Sequence, residues 1–432
     1  MQNNNSTFDL SLNLNVRGMP LSATLHINEI SNKLKQQGKK VYKFGLGQSP
    51  FPVPKPVVEE LRANAFQKDY LEVKGLKPLR EAVAEYHSRR NDIQRGADHV
   101  LIGPGSKELM FLLQFVYYGE LVIPTPSWVS YAPQAKIIGR QVAWIKTKTK
   151  NKWRLLPDEL RKLCDNDHYK PRIVILNYPS NPTGITYSCE ELEELATVAR
   201  EHRVILLSDE IYGELNFNGN HCSIARFYPE GTIISGGISK WCGAGGWRLG
   251  TFTFPDSLSG LLEGMAAVAS ETFTSTSAPI QYAAIKAFKG GIEIERYLWN
   301  ARKILKALAT EICQTLNEGG VETPEPDGAF YLFLNFNNYS DKLKAKNINT
   351  GLELTTSLLE NTGVALLPGS VFGRPEEEFT ARLSYVDFDG TRALAAAETI
   401  RPEESLQDNF LNTYCGHQME GIKSIIDWVK SL

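Results

Sequence analysis

Two short apolar runs in the middle of the chain form its clearest hydrophobic pattern. Residues Ile173–Leu176 and Val204–Leu207 are continuously apolar, and polar or turn-forming residues follow each of them. Apolar runs of this length without alternation are typical of parallel strands that are buried on both faces. Helical and strand-like patterns alternate from about residue 55 to 290, which predicts an α/β fold with a mostly parallel central sheet covered by helices.

The pattern outside this region predicts further parts of the chain. A polar stretch at the start predicts a flexible arm, and a helix is expected near residues 26–37, before a crossing rich in proline and glycine. A long helix beginning near 290 is expected to lead into a smaller α+β domain that contains a strand around Pro326–Phe333. The predicted divisions are an arm at 1–19, an N-terminal part of the small domain at 20–54, a large domain at 55–290 and a C-terminal small domain at 291–432.

Polar residues follow the two apolar runs where buried strands are expected to end. Asn181 lies in a Pro/Gly turn after the first run, while Asp209 and Tyr212 follow the second. Because ligands of open α/β sheets bind beyond the carboxyl ends of the strands, these side chains are expected to converge.

The stretch Ser235–Arg248 adds a candidate nucleophile. Lys240 stands among glycine and serine residues, so its amine can approach a ligand closely and form a Schiff base with a carbonyl. Arg248, eight residues later, offers a planar fork for a phosphate, and its neighbours Gly246 and Trp247 favour a buried position.

In these ordered motifs, from about Pro20 to about Tyr385, the chain resembles the class I and II aminotransferases, which are fold-type I enzymes that depend on pyridoxal 5'-phosphate. The resemblance implies that Lys240 holds the cofactor as an aldimine and that Arg248 binds its phosphate. It also implies that Asp209 faces the pyridine nitrogen, and that Asn181 and Tyr212 hydrogen-bond the ring oxygen.

The same resemblance implies further cofactor contacts. Gly105, Ser106 and Lys107 open a helix whose N-terminus suits a phosphate. Trp128 corresponds to the aromatic residue that stacks on the pyridine ring, and Ser239 precedes the lysine. Tyr70 corresponds to a tyrosine that reaches the phosphate in a neighbouring subunit, so a homodimer is expected.

Substrate residues follow from a resemblance to the prokaryotic-type aspartate aminotransferases, some of which accept prephenate. Arg382 corresponds to the arginine that binds the substrate α-carboxylate, and Gly47 to a loop glycine beside that group. Thr24 and Lys107 correspond to residues that contact a distal carboxylate; Asn181 and Trp128 also border the substrate. The predicted reaction is ping-pong transfer of an amino group from an aspartate-like amino acid to a 2-oxo acid. The alternatives are an aromatic or broad-specificity aminotransferase, a lyase on the same fold, and a catalytically silent cofactor-binding regulator.

Structural explanations compete with several of these assignments. Asp209 or Thr24 could cap a helix, Lys107 could point into solvent, and Trp128 could belong to the core. Four departures from the usual family pattern are also present. They are Gly237 three residues before the lysine, Gly236 in place of the usual asparagine, two acids at Asp387 and Asp389, and an apparent insertion at 401–415 before the last helix. The two acids either alter substrate preference or face solvent.

Composition excludes some classes of function. The chain has 432 residues and a net charge of −2, which does not favour a nucleic-acid or membrane partner. The six cysteines show no metal-binding spacing, so no metal is expected, and they predict reduced thiols in a cytoplasmic protein.

Overall fold

The computed structural model describes residues 11–167, 170–401 and 404–432, and residues 1–10 of the predicted arm lie outside the described residues. The helices are α1 Ala23–Gln36, α2 Lys55–Asn64, α3 Lys77–Asn91, α4 Ser106–Val116, α5 Tyr131–Ile137, α6 Pro157–Asp165, α7 Cys189–Glu201, α8 Ser259–Glu271, α9 Ala278–Lys289, α10 Ile292–Glu318, α11 Ser340–Ala345, α12 Gly351–Thr362, α13 Gly390–Ala397 and α14 Phe410–Lys430. The strands are β1 Tyr42–Lys43, β2 Val100–Gly103, β3 Glu120–Thr125, β4 Val142–Lys146, β5 Arg172–Asn177, β6 Ile205–Asp209, β7 Thr232–Gly237, β8 Gly250–Thr253, β9 Tyr331–Asn335, β10 Val364–Ala365, β11 Leu367–Pro368 and β12 Thr380–Ser384. Within the described ranges, no helix is both long and apolar enough to cross a membrane.

A seven-stranded sheet forms the centre of the molecule, with the strand order β2-β8-β7-β6-β5-β3-β4. Strand β8 runs antiparallel to both of its neighbours, β2 and β7, and the other strand pairs of this sheet are parallel. The two apolar runs form the adjacent parallel strands β5 and β6, in a register that pairs Asn177 with Asp209. The predicted α/β fold with a mostly parallel sheet is therefore confirmed.

Side chains of β5 explain why its sequence is continuously apolar. Ile173 and Ile175 pack into the cluster that contains residues of α4 and α8 on one face of the sheet. Val174 and Leu176 pack into the cluster that contains residues of α6 and α7 on the other face. Successive strand residues point to opposite faces of the sheet. Because both faces are covered by helices, every residue inside the strand is buried and therefore apolar.

Two smaller sheets lie outside the central sheet. Strands β11, β12 and β9 form an antiparallel sheet, and β1 pairs in parallel with β10. The pairing of Tyr42 with Val364 places the N-terminal segment beside the C-terminal part of the chain. The long helix predicted near 290 is α10, and the strand predicted around 326–333 is β9, which begins later, at Tyr331.

The prediction that all six cysteines are reduced thiols is wrong for two of them. Cys189 and Cys222 form a disulfide with a Cα–Cα distance of 5.8 Å, whereas Cys164, Cys242, Cys313 and Cys415 are free and buried. The fold brings the first residue of α7 against a loop that lies 33 residues further along the chain. Isolated cysteines give no sign of such a pairing in the sequence, because it depends on the tertiary structure.

The segment 401–415, expected to be an insertion before the last helix, overlaps that helix at its end. Phe410 to Cys415 already belong to α14, and Cys415 marks a kink with φ −124° inside that helix. Residues 402 and 403 of the segment lie outside the described residues.

Gly237 ends β7 in a backbone conformation that disfavours other residues. Its φ is +147°, and a Cβ atom would lie 2.7 Å from the carbonyl oxygen of Leu249. We predict that Gly237→Ala lowers the free energy of unfolding by about 1–3 kcal/mol, the usual cost of a residue held in a disfavoured conformation. Denaturant titration would measure this change.

Gly260→Ala is the matched control, because Gly260 lies in α8 and a Cβ there would meet nothing within 4 Å. Its expected effect is nil or slightly stabilising. Equal stability changes in the two variants would contradict the prediction for Gly237.

Candidate active site

A cavity of about 580 Å³ opens beyond the carboxyl ends of β5 and β6. It collects most of the predicted site residues, which come from distant parts of the chain: Thr24, Gly47, Ser106, Lys107, Trp128, Asn181, Asp209, Tyr212, Ser239, Lys240, Arg248 and Arg382. The central sheet supplies the residues after β5, β6 and β7, while Arg382 comes from β12 of the small antiparallel sheet.

Asp209 is the buried acid of this cavity. Its carboxylate accepts hydrogen bonds from the Tyr131 hydroxyl at 2.5 Å and from the Ser235 hydroxyl at 3.3 Å. Burial raises the pKa of Asp209 to about 6, although these hydrogen bonds oppose the rise. Asp209 ends β6 and no described helix begins directly after it, so a helix-capping role does not explain it.

Lys240 extends across the cavity to the crossing segment of the chain. Its Nζ atom donates a hydrogen bond to the carbonyl oxygen of Gly47 at 2.6 Å and lies 5.7 Å from the centre of the Tyr212 ring. Burial, with the nearby charges of Arg382 and Arg248, lowers the pKa of Lys240 to about 8. The amine is therefore neutral in a larger fraction of molecules near neutral pH than an exposed lysine would be.

Arg382 is almost entirely enclosed, with 1% of its surface exposed. Its guanidinium donates to the Asn181 side-chain oxygen at 3.0 Å and to the Gly45 carbonyl oxygen at 2.5 Å, and it lies over the Tyr331 ring at 4.8 Å. The Nε atom is buried and has no hydrogen-bond partner among the described residues. The hydroxyl of Tyr331 in turn bonds that of Tyr212 at 2.8 Å.

The N-terminus of α4 and Arg248 form a second positive region. Ser106 is the first residue of α4, so its N–H group belongs to the unpaired positive end of that helix. A Cβ atom on Gly105 would lie 2.2 Å from Nη2 of Arg248, so the glycine leaves room for the guanidinium. Arg248 itself is exposed at the cavity rim, where it donates to the Gly245 carbonyl oxygen at 2.9 Å. The expectation that Arg248 is buried is therefore wrong.

Lys107 lines the cavity and is also exposed to solvent. Its Nζ atom lies 5.2 Å from the centre of the Trp128 ring, and burial, with the charge of Arg248, lowers the pKa of Lys107. Trp128 is half-buried: it lines the cavity and also packs against the hydrophobic cluster below it.

Thr24 and Gly47 also border the cavity. Thr24 is the second residue of α1 and therefore not its N-cap, which is Ser22. A Cβ atom on Gly47 would lie 2.0 Å from the Tyr331 hydroxyl, so only glycine fits between this ring and the chain.

Two predicted residues do not line the cavity: Gly105 lies behind the Arg248 guanidinium, and Tyr70 lies away from the site. The Tyr70 side chain is 90% exposed, and the chain does not bring it to the site. Three contributors were not predicted. Tyr131 follows Trp128 by three residues, Tyr331 opens β9, and the Asn177 side chain accepts from the Asn181 backbone N–H at 2.7 Å.

The charges of the cavity match those of pyridoxal phosphate and an amino acid. Lys107, Lys240, Arg248 and Arg382 all face it, and none of them has a carboxylate partner within 4 Å among the described residues. A phosphate and a carboxylate would neutralise such a cluster, and Asp209 suits a protonated ring nitrogen. The residues therefore fit the group.

A parallel sheet with a lysine, a buried acid and an anion site at its carboxyl end defines a cofactor-dependent α/β enzyme. Residues 39–397 match the family "Aminotransferase class I and II". The chain belongs to this family and is a pyridoxal phosphate-dependent aminotransferase.

Individual relatives agree with the family. The chain is 33% identical to an asparagine–oxo-acid transaminase of Streptococcus mutans, over 87% of this chain and 94% of that protein. It is 31% identical to an aspartate aminotransferase of Bacillus subtilis, over 86% of this chain and 93% of that protein. The structure of an aspartate aminotransferase of Thermus thermophilus with maleate is similar, with a TM-score of 0.80, 28% identity, and coverage of 90% of this chain and 98% of that chain.

The environment of Lys240 predicts a pH dependence. We expect the rate at which the cofactor-free protein captures pyridoxal phosphate to rise with pH through about 8, because only the neutral amine attacks the aldehyde. Arg382→Leu removes a neighbouring positive charge and should move the midpoint upward. Stopped-flow absorbance would give the rates.

Arg62→Leu serves as the control, since Arg62 is exposed on α2 and does not line the cavity. A midpoint near the ordinary lysine value of about 10.4 in the unaltered protein would contradict the assigned environment.

Proposed function

We propose that the enzyme transfers the amino group of an aspartate-like amino acid to a 2-oxo acid in a ping-pong cycle. The observation that carries this proposal is the presence of two positive side chains, Arg382 and Lys107, in one cavity with Lys240. A dicarboxylic amino acid needs one such group for each carboxylate. The names of the relatives, which are transaminases of aspartate and of asparagine, agree with a short polar substrate.

Pyridoxal phosphate supplies the aldehyde that condenses with amines and the ring that accepts electron density from the substrate Cα atom. In our proposal Lys240 is the amine that holds it. The Lys240 amine would also move the proton at the substrate Cα atom. Burial, which lowers the pKa of Lys240, favours the neutral form that accepts this proton.

Asp209 keeps the cofactor's ring nitrogen protonated in this proposal. Its carboxylate is held by Tyr131 and Ser235, so it presents a fixed negative charge at the base of the cavity. A positive ring nitrogen beside it stabilises the ionised carboxylate in return, which lowers the pKa from its value of about 6 in the cofactor-free protein.

The remaining residues bind and orient. Arg382 binds the α-carboxylate of the substrate, and its hydrogen bond to Asn181 orients the guanidinium. Gly47 leaves space for the carboxylate. Asn181 and Tyr212 would also hydrogen-bond the ring oxygen. The N-terminus of α4 and Arg248 would hold the phosphate. Trp128 would cover the ring, and Thr24 would contribute to the distal end of the substrate pocket.

Assembly and location complete the proposal. A homodimer is supported by the exposure of Tyr70 and Phe66, at 90% and 74%, because these aromatic side chains are available to a partner and Tyr70 does not reach the cavity of its own chain. The predicted division into domains at 20–54, 55–290 and 291–432 stands as a proposal, which the β1–β10 pairing supports. A cytoplasmic location stays a prediction; the Cys189–Cys222 disulfide is more typical of an oxidising compartment.

Single-turnover spectra of the loaded enzyme test the substrate class. Aspartate, phenylalanine, alanine and cysteine are offered one at a time, and loss of the aldehyde form of the bound cofactor reports transfer. The proposal expects aspartate to react fastest. A preference for phenylalanine would indicate an aromatic aminotransferase, and release of pyruvate and ammonia from cysteine would indicate a lyase.

Lys107→Ala tests whether Lys107 binds the distal carboxylate of the substrate. Because a hydrogen bond between charged groups is lost for dicarboxylic substrates only, kcat/KM for aspartate should fall about 10- to 100-fold more than that for phenylalanine. Steady-state kinetics with both amino acids measure the ratio. Equal losses would show that Lys107 does not select the substrate.

Asp209→Ala tests the electronic role of the acid. The rate of Cα deprotonation should fall about 100-fold or more, the scale of one lost electrostatic contact in a transition state. Cofactor binding should largely survive, because Lys240 and Arg248 remain. Single-turnover rates with ordinary and Cα-deuterated aspartate measure the deprotonation step. An unchanged rate in Asp209→Ala would show that Asp209 does not have this role.

A further inference from the structure

Residues 386–390, where the sequence departs from the usual family pattern, pack against the crossing segment 43–51. The Asp387 carboxylate accepts a hydrogen bond from the backbone N–H of Lys43 at 2.7 Å. The Phe388 ring packs edge-on against Phe51, with centres 6.0 Å apart. A Cβ atom on Gly390 would lie 2.2 Å from the carbonyl oxygen of Pro50, so the two chain segments are in close contact.

The crossing segment carries two carbonyl groups that touch the site. The oxygen of Gly45 accepts from Arg382 at 2.5 Å, and the oxygen of Gly47 accepts from Lys240 at 2.6 Å. These residues lie two and four positions after Lys43. A shift of the backbone at Lys43 would therefore move the contacts of both positive side chains.

Asp387 is itself held in place. His417 of α14 lies 3.3 Å from its carboxylate, and the His417 ring packs on the Tyr42 ring with centres 4.7 Å apart. Lys43 has other contacts as well: it pairs with Ala365 in the β1–β10 ladder, and its Nζ donates to the Asn32 side chain at 2.6 Å. Its backbone N–H is the group that donates to Asp387.

We propose that Asp387 is a positioning residue, which fixes the backbone at Lys43 and thereby holds the carbonyls of Gly45 and Gly47 against Arg382 and Lys240. The inference rests on the roles given to those two side chains under Proposed function. Neither acid of the departure lines the cavity. Asp389 is exposed, as one of the two alternatives expected, whereas Asp387 is partly buried against the crossing segment.

Asp389, two residues later, offers a matched control. Its carboxylate accepts from the backbone N–H of Arg392 at 3.1 Å and caps α13, so it stabilises the helix without bonding the crossing segment. The two variants Asp387→Ala and Asp389→Ala remove the same charge from the same part of the chain. They differ in which backbone group loses its partner, and Asp387→Ala also removes the carboxylate beside His417.

Hydrogen–deuterium exchange of the cofactor-free protein and steady-state kinetics of the loaded enzyme form the test. For Asp387→Ala we expect faster exchange in peptides spanning 42–48 and a KM for aspartate raised about 3- to 10-fold, the range of one hydrogen bond, with kcat changed less. For Asp389→Ala we expect faster exchange in 390–397 and an unchanged KM. Asp387→Asn keeps an acceptor oxygen and should restore both readouts toward those of the unaltered protein.

Three results would overturn the inference: unchanged exchange in 42–48 for Asp387→Ala, equal rises in KM for both alanine variants, or an Asp387→Asn variant that behaves like Asp387→Ala. If Asp387→Ala does not fold, Asp387→Asn still decides, because exchange in 42–48 faster than in the unaltered protein contradicts the proposal. Failure of the proposed function would instead appear as absent turnover of aspartate by the unaltered enzyme. The exchange results would still show whether Asp387 holds the backbone at Lys43.

Discussion

Mutual repulsion among positive side chains around one cavity is the constraint on which the rest of the site depends. Lys240, Lys107, Arg248 and Arg382 face the same space, and Asp209 is the acid at its base. Burial together with this repulsion lowers the pKa of both lysines. The arrangement is therefore matched to ligands with two or more negative groups, and it keeps a reactive amine available until they bind.

The fold brings these charges together because two sheets meet at the cavity. The carboxyl ends of β5, β6 and β7 deliver the residues around Asp209 and Lys240, while β12 of the small sheet delivers Arg382. The crossing segment runs between the two groups and bonds both Lys240 and Arg382 through its carbonyl oxygens. Under the proposed function, substrate binding and covalent chemistry share this single stretch of backbone.

The sequence allowed the central strands and the residues at their ends to be predicted, because burial on both faces leaves an unmistakable apolar run and the ligand site follows from strand direction. Side-chain contacts that depend on tertiary packing could not be predicted from the sequence. Tyr131 and Tyr331 are aromatic residues in apolar surroundings, and nothing in their spacing indicates a hydroxyl directed at Asp209 or Tyr212. The Cys189–Cys222 pairing and the Asp387–Lys43 bond join segments that are 33 and 344 residues apart.

The central claim is that the Lys240 amine, and no other, binds the cofactor covalently. Reduction of the reconstituted enzyme with borohydride, followed by peptide mass analysis, tests this claim most directly. The account predicts a single stable adduct on the peptide that contains Lys240 and none in Lys240→Ala. An adduct on Lys107, or no adduct on the Lys240 peptide of the unaltered enzyme, would contradict it.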